Sequence, residues 1–160
     1  MPKPARLLPT IAALVVAVLT LTACSTAVAS LLPEPSGPLV TVTTRGGECM
    51  DGPCGSVVTI DRDGTVRSDD PAAAPLGTVP AGTLKDLDAA IKTTDFAVIR
   101  GVPFDGECPV NFDGQEFIYE FGAPGGLERI ASCESAIDAD HPVFAAVTAA
   151  LVAVDVLPAP

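Results

Sequence analysis

The sequence predicts an α+β domain of two layers, an antiparallel sheet of about five strands with two helices packed on one face. Three observations predict it. Short, β-branched runs cluster at Leu39–Thr44, Ser56–Ile60 and Thr65–Arg67, and further strand-like runs follow at Glu116–Phe121, which alternates, and Leu127–Cys133. Turn signals separate them at Asp61-Arg62-Asp63-Gly64, Asp113-Gly114 and Ala123-Pro124-Gly125-Gly126. Helical apolar spacing occurs in two places only, after Thr83 and after Asp140. Runs of antiparallel strands with segregated helices place the helices on one side of the sheet.

In chain order, Lys3 and Arg6 precede an apolar run from Ile11 to Leu21, which ends in Leu21-Thr22-Ala23-Cys24. A positive n-region, a short hydrophobic h-region and small residues before a cut are the parts of an export signal. The four-residue pattern resembles the lipobox of bacterial lipoproteins. That resemblance implies a diacylglycerol on the Cys24 thiol, cleavage before Cys24 and a lipid (palmitate-type) anchor in the cell membrane, on its outer, extracytoplasmic face. The competing readings are an uncleaved anchor and a plain secretory peptide. Leu7 to Ala23 is 17 residues with Pro9 and three threonines inside it, at the bottom of the spanning range of roughly 17–25. A plain signal would need a small-x-small site, which Thr22-Ala23 or Val28-Ala29-Ser30 supply only loosely. Two or three acyl chains hold firmly, since each buried methylene contributes about 0.8 kcal/mol and one chain anchors only reversibly.

The expected organisation is therefore a signal peptide over 1–23, a Pro-rich tether over 24–38 and one α+β domain over 39–157. Pro33, Pro35 and Pro38 keep the tether extended. At roughly 3.1 Å per residue, Ser25–Pro38 reaches about 40 Å from the bilayer. Residues 24–160 carry seven basic against twenty acidic residues, a formal net charge of −13. Such a chain is repelled by nucleic-acid phosphates and anionic headgroups, so no nucleic-acid partner is expected and attachment must come from the lipid. Aromatic residues are 4% of the chain and tryptophan is absent, which argues against a base-stacking surface.

With Cys24 lipidated, Cys49, Cys54, Cys108 and Cys133 remain, an even number that suits two disulfides in an oxidising compartment. Three pairings are possible. Cys49–Cys54 would close the short Met50-Asp51-Gly52-Pro53 turn, leaving Cys108–Cys133, a longer loop contributing roughly 3.5 kcal/mol in the chain-entropy model. A four-thiolate zinc site would need paired C-x2-C knuckles, which these spacings lack.

The first strand, Leu39–Thr44, leads into a loop over Arg45–Gly55 and then the second strand. Asp61–Gly64 reads as a hairpin turn; an EF-hand register would place Val66 and Ala72 where glycine and glutamate belong. Ser68–Pro80 reads as a connecting loop. Thr83 and Asp86 form a capping box for a helix whose Leu84, Leu87 and Ile91 share a face. Phe96, Val98 and Ile99 read as core. Gly101–Pro109 is a second cysteine-bearing loop with Asp105 and Glu107. Along Glu116–Phe121 strict alternation puts Phe117, Tyr119 and Phe121 on one face and Glu116, Ile118 and Glu120 on the other. Asp140 is the expected N-cap of the last helix, whose stripe is Phe144, Val147, Leu151 and Val154, and Pro158 the expected stop.

The chemistry expected of these residues is binding. The only histidine, His141, opens a helix; no G-x-S-x-G elbow occurs; Lys85 and Lys92 fall on the solvent face of a helix; and Asp105 and Glu107 fit a solvated acidic loop. No enzymatic activity, catalytic residue, metal or cofactor is expected. From Arg45 the chain runs through a cysteine loop with Gly and Pro, a strand, Asp63-Gly64 and another strand, then a leucine-bearing helix, Thr94-Asp95-Phe96 and a last helix. Over 39–155 this is similar to small exported bacterial domains of unknown function that share an arginine, a C-x-G-x-C-P-like loop and a strand ending in Asp-Gly. Here four residues separate Cys49 from Cys54, and Pro53 precedes Cys54 instead of following it. The resemblance implies no activity. Two functions follow: a displayed binding or inhibitory module that uses a braced loop (Glu48–Gly55 or Gly101–Pro109) against a protein partner, or an envelope-associated structural lipoprotein packing on membrane machinery or its own copies. An exposed apolar patch on the last helix would favour the second.

Overall fold

Leu39-Val40-Thr41-Val42-Thr43 alternates apolar and polar with a period of two, so this segment can bury one face as a strand. It becomes the start of β1 (Val40–Cys49), a strand hydrogen-bonded on both sides. The computed structural model describes residues 36–49, 52–70 and 72–158; the expected leader and nearly all of the expected tether lie outside them. Residues 35–160 form one compact unit. Among the described residues no helix is long and apolar enough to cross a membrane.

The fold is α+β, built on one open antiparallel sheet in the order β4-β3-β2-β1-β5-β6. The remaining strands are β2 (Gly52–Ile60), β3 (Thr65–Ser68), β4 (Gly77–Thr78), β5 (Glu116–Ala123) and β6 (Gly126–Ala131). Six strands form where about five were expected. The extra one, β4, lies in the stretch expected as a loop and pairs with β3 through Thr65–Thr78 and Val66–Gly77. Two residues are too short to leave a periodic trace.

The expected loop over Arg45–Gly55 is instead the far half of a long β1–β2 ribbon. Its register shifts between Arg45 and Glu48, where Gly46 and Gly47 take φ of +91° and +82°. This is a β-bulge built from two residues that reach positive φ without a Cβ penalty. Read from sequence, paired glycines look like a loop.

The sheet face carrying Val40, Val42, Ile60, Val66, Phe121 and Ile130 is buried against the helices. The other face is rich in half-buried threonine, with Thr41 and Thr59 side by side across β1 and β2. An antiparallel sheet tolerates that asymmetry. Helix α1 (Ala81–Thr93) buries Leu87 and Ile91, as its spacing predicted, but starts at Ala81 without a side-chain cap, not at a Thr83 capping box. A short helix the sequence reading missed, α2 (Phe96–Arg100), follows; Asp95 caps it by accepting from the Ala97 and Val98 amides. Phe96 and Ile99 are core as expected, whereas Val98 faces out.

The last helix, α3 (Pro142–Val152), is capped by His141, not by the expected Asp140: its Nδ1 accepts the Val143 amide at 3.3 Å. It ends at Val152, well before Pro158, and Asp155 takes φ of +58° in the turn beyond it. Phe144, Val147 and Leu151 are buried as its stripe predicted.

The chain joins the sheet under a tight constraint. The Leu39 amide donates to the Ile60 carbonyl and the Gly122 amide to the Leu39 carbonyl, each at 2.9 Å. Arg62 Nη2 donates to the Gly122 carbonyl at 2.8 Å. A Cβ on Gly122 would lie 2.5 Å from the Pro38 oxygen and 2.6 Å from Arg62 Nη2. Gly122→Ala is therefore expected to destabilise the domain by about 1–3 kcal/mol through overpacking. Gly125→Ala, with nothing within 4 Å of its Cβ, is the control expected to lose nothing. Urea unfolding midpoints of the two variants check this.

Candidate functional site

Two features share the β6 side of the molecule, a braced corner and an apolar hollow. The corner begins with Cys108, which precedes a 3-10 turn over Pro109–Phe112, and Cys133, which follows β6. They form a disulfide across a sequence separation of 25. The bridge closes through loop ends, so the intervening β5 is no obstacle. Cys54 is disulfide-bonded as well. Cys24, the expected lipidation site, and the side chain of Cys49 lie outside the described residues, so neither that site nor the expected Cys49–Cys54 bridge is described.

Glu116 was expected to face solvent, yet it is 1% exposed. Its carboxylate lies within 4.8 Å of both Cys108 and Cys133 sulfurs, and Arg45 Nε, opposite it in the β1–β5 register, donates to Oε2. Alternation placed Glu116 on the correct face but could not foresee that this face is lapped at one end. Phe117, expected to be buried with Tyr119 and Phe121, is conversely left 41% exposed at the strand's start. The Cys–Glu–Cys grouping does not suit a metal ion. Both sulfurs are consumed by the disulfide, no thiolate remains, and the carboxylate is already neutralised by Arg45.

The hollow lies where α2 and the segment after it meet the approach to α3. The Ala136 amide donates to the Val102 carbonyl at 2.9 Å and the Phe104 amide to the Glu134 carbonyl at 3.2 Å. Pro103 and Ser135 form a β-bridge between the same two segments. The expected cysteine loop Gly101–Pro109 is thus sewn to residues 134–136 and locked by the disulfide. Between them opens a space of about 390 Å³ lined by Val98, Ile99, Val102, Ala136, Ile137 and Phe144, with Asp138 and His141 as its polar members. Ile99 and Phe144 are buried and form the floor; Val98 and Val102, 65% and 53% exposed, form the lip.

The polar groups are few and fixed. Because His141 Nδ1 accepts the Val143 amide, the neutral ring carries its proton on Nε2 and offers one donor. Asp138 accepts the Asp140 amide on Oδ1 at 3.0 Å, and its other oxygen is left for solvent or a ligand. Elsewhere, the hydrogen bond from the Thr65 backbone amide holds the Asp63 carboxyl below its ordinary range. Burial pushes the Tyr119 hydroxyl up, keeping a neutral phenol beside the core.

The surface field is one-sided. Arg45, Arg67, Lys92, Arg100 and Arg129, five of the seven basic residues in 24–160, are held in ion pairs. Most of the twenty acidic side chains therefore keep an uncompensated charge. No lysine or arginine lines the hollow.

The sequence reading chose Gly101–Pro109 as a candidate binding loop, and the structure brings its first part into the hollow through Val102. Asp105, Glu107 and Cys108 do not line it. Val98, Ile137 and Phe144 were read only as core or not singled out. Asp95 followed by apolar residues at Phe96 and Ile99 was a legible helix signal; the approach of Ile137 was not.

Fold and site together define a two-layer α+β domain with a braced apolar recess. No protein-family model, curated protein or solved structure matches the chain.

The braced corner is tested by a double-mutant cycle. Arg45→Ala leaves a buried carboxylate without its donor and should cost about 1–3 kcal/mol. Adding Glu116→Gln should recover part of that loss, because a neutral amide is cheaper to bury than a charge. A coupling near zero in chemical denaturation would show the pair to be energetically idle.

Proposed function

We propose that the chain is an exported bacterial lipoprotein, held by acyl chains on Cys24 at the extracytoplasmic face of the cell membrane, whose domain is a non-enzymatic binding or inhibitory module for a protein partner. The observation that carries this reading is the hollow. A recess of about 390 Å³ with apolar walls and two fixed polar groups has the make-up of a binding site. Its wall is the braced segment after α2, tied by backbone bonds and the Cys108–Cys133 disulfide. Such bracing lowers the ordering cost that binding would otherwise incur. The anchoring part of the reading is supported by Lys3, Arg6, the apolar run and Leu21–Cys24.

A second reading, an envelope lipoprotein that packs against machinery or its own copies, is favoured by the solvent side of α3. Ala145, Thr148, Ala149 and Val152, with Ala153 beyond them, line an uncharged surface there. These side chains are small, whereas the bulkier exposed valines sit at the hollow, so the binding module ranks first.

Photo-cross-linking in intact cells tests both. A photoreactive residue at position 102 is expected to give a discrete adduct in the membrane fraction. One at position 59, on the open sheet face, should give none. Cys24→Ser should move the protein out of the membrane fraction. Adducts at 149 but not 102 would replace the first reading with the second.

A further inference from the structure

We propose that the occupant of the hollow is a cationic polypeptide segment that inserts one bulky apolar side chain between Val98, Val102 and Ile137. This rests on the reading of the domain as a binding module and names the chemistry of its partner.

The shape of the recess is the first argument. Pockets that hold a free small molecule enclose roughly 70–90% of its surface. Here the lip is made of half or more exposed valines over a buried floor of Ile99 and Phe144. A recess open on that side suits a side chain projecting from a larger body, whose remaining surface covers the lip. Apolar anchors in pockets of this kind carry most of the affinity at protein interfaces.

Charge decides what surrounds the anchor. Asp138 lines the recess and Asp140 lies two residues on, both exposed. The domain's cations are largely committed: Arg100, the nearest in sequence to Val98 and Val102, is paired with Glu128 on β6. A carboxylate at the mouth of a recess lined by no lysine or arginine repels acidic peptides and fatty-acid headgroups. A second copy of this chain would bring its own −13 charge to the same place. A basic segment gains from the same field, first in steering and then in register. Asp138's free oxygen can take a lysine or arginine, and the His141 Nε2–H can donate to a backbone carbonyl of the inserted segment.

Selection of random twelve-residue peptides displayed on phage, against the native lipoprotein in nanodiscs, tests the proposal. Enriched peptides are expected to combine lysine or arginine with one Leu, Phe or Trp. A synthetic peptide of that kind should lose at least tenfold in affinity on Val102→Lys. Val98→Lys, at the more exposed lip position, guards against a folding artefact at 102. Asp138→Asn, which keeps the Oδ1 acceptor for the Asp140 amide, should weaken binding several-fold and flatten its salt dependence. Enriched peptides that are neutral or acidic yet lost on Val102→Lys would overturn the charge assignment while the binding reading stands. Peptides indifferent to both lysine substitutions, or no enrichment, would overturn both. A dimer in sedimentation that Val102→Lys dissociates would make the occupant a second copy instead.

Discussion

Phe121 is the residue on which the two layers meet. It is fully buried on β5, with the ring of Phe96 from α2 at 5.0 Å and that of Phe144 from α3 at 6.2 Å. Tyr119, two residues back on the same strand, stacks on Phe121 at 6.0 Å and meets Phe144 edge-on at 5.0 Å. Four of the chain's seven aromatic residues are therefore in one cluster. Each such pair contributes about 0.5–1.5 kcal/mol beyond burial, so the cluster helps hold α2 and α3 against the sheet. Its geometric consequence matters more. The two helices are pinned to one strand by rings of fixed size, and the gap left beside those rings is the hollow.

A gap between two helices stays a recess only if its walls cannot fold inward. Three constraints prevent that. Asp95 fixes the start of α2, backbone bonds sew residues 102–104 to 134–136, and the Cys108–Cys133 bridge closes the loop behind them. The same loop laps the otherwise open sheet face and buries Glu116, whose charge is answered by Arg45 on β1. The brace of the hollow's wall and the brace of the sheet end are thus one piece of chain. A pair of this sort, a buried carboxylate met by an exposed guanidinium, contributes little net stability, since desolvation of the carboxylate offsets attraction. It does fix which strand face the loop can cover, because a misplaced loop would strand a carboxylate.

Packing on one face and charge on the rest divide the work. The apolar residues of α3 are spent on the core and on an uncharged outer side, while most of the acidic residues are carried by turns and loops. A domain this acidic is kept off an anionic bilayer by its own field. Whatever approaches the hollow must supply positive charge or tolerate the lack of it.

Much of the fold was legible in the sequence because it follows from period. The alternation of Val40–Thr43 and Glu116–Phe121, the Asp61–Gly64 turn, and the 3.6-residue spacing of Leu87, Ile91, Phe144, Val147 and Leu151 are local patterns with local causes. The charge balance, the cysteine count and the Leu21–Cys24 pattern are also properties of the chain alone. What escaped depends on partners distant in sequence. β4 is two residues long and exists because β3 offers it an edge. The β1–β2 ribbon passes through Gly46 and Gly47 because Val110 and Gly114 lie against it. Glu116 is buried because Arg45, 71 residues earlier, and the Cys108–Cys133 loop converge on it. The hollow belongs to the same class: Val98, Val102, Ile137 and Phe144 share no pattern in the sequence, and only the docking of α2 and α3 on one strand sets them around a common space. Period and composition determined the layers of this protein; long-range closure decided where they leave the hollow.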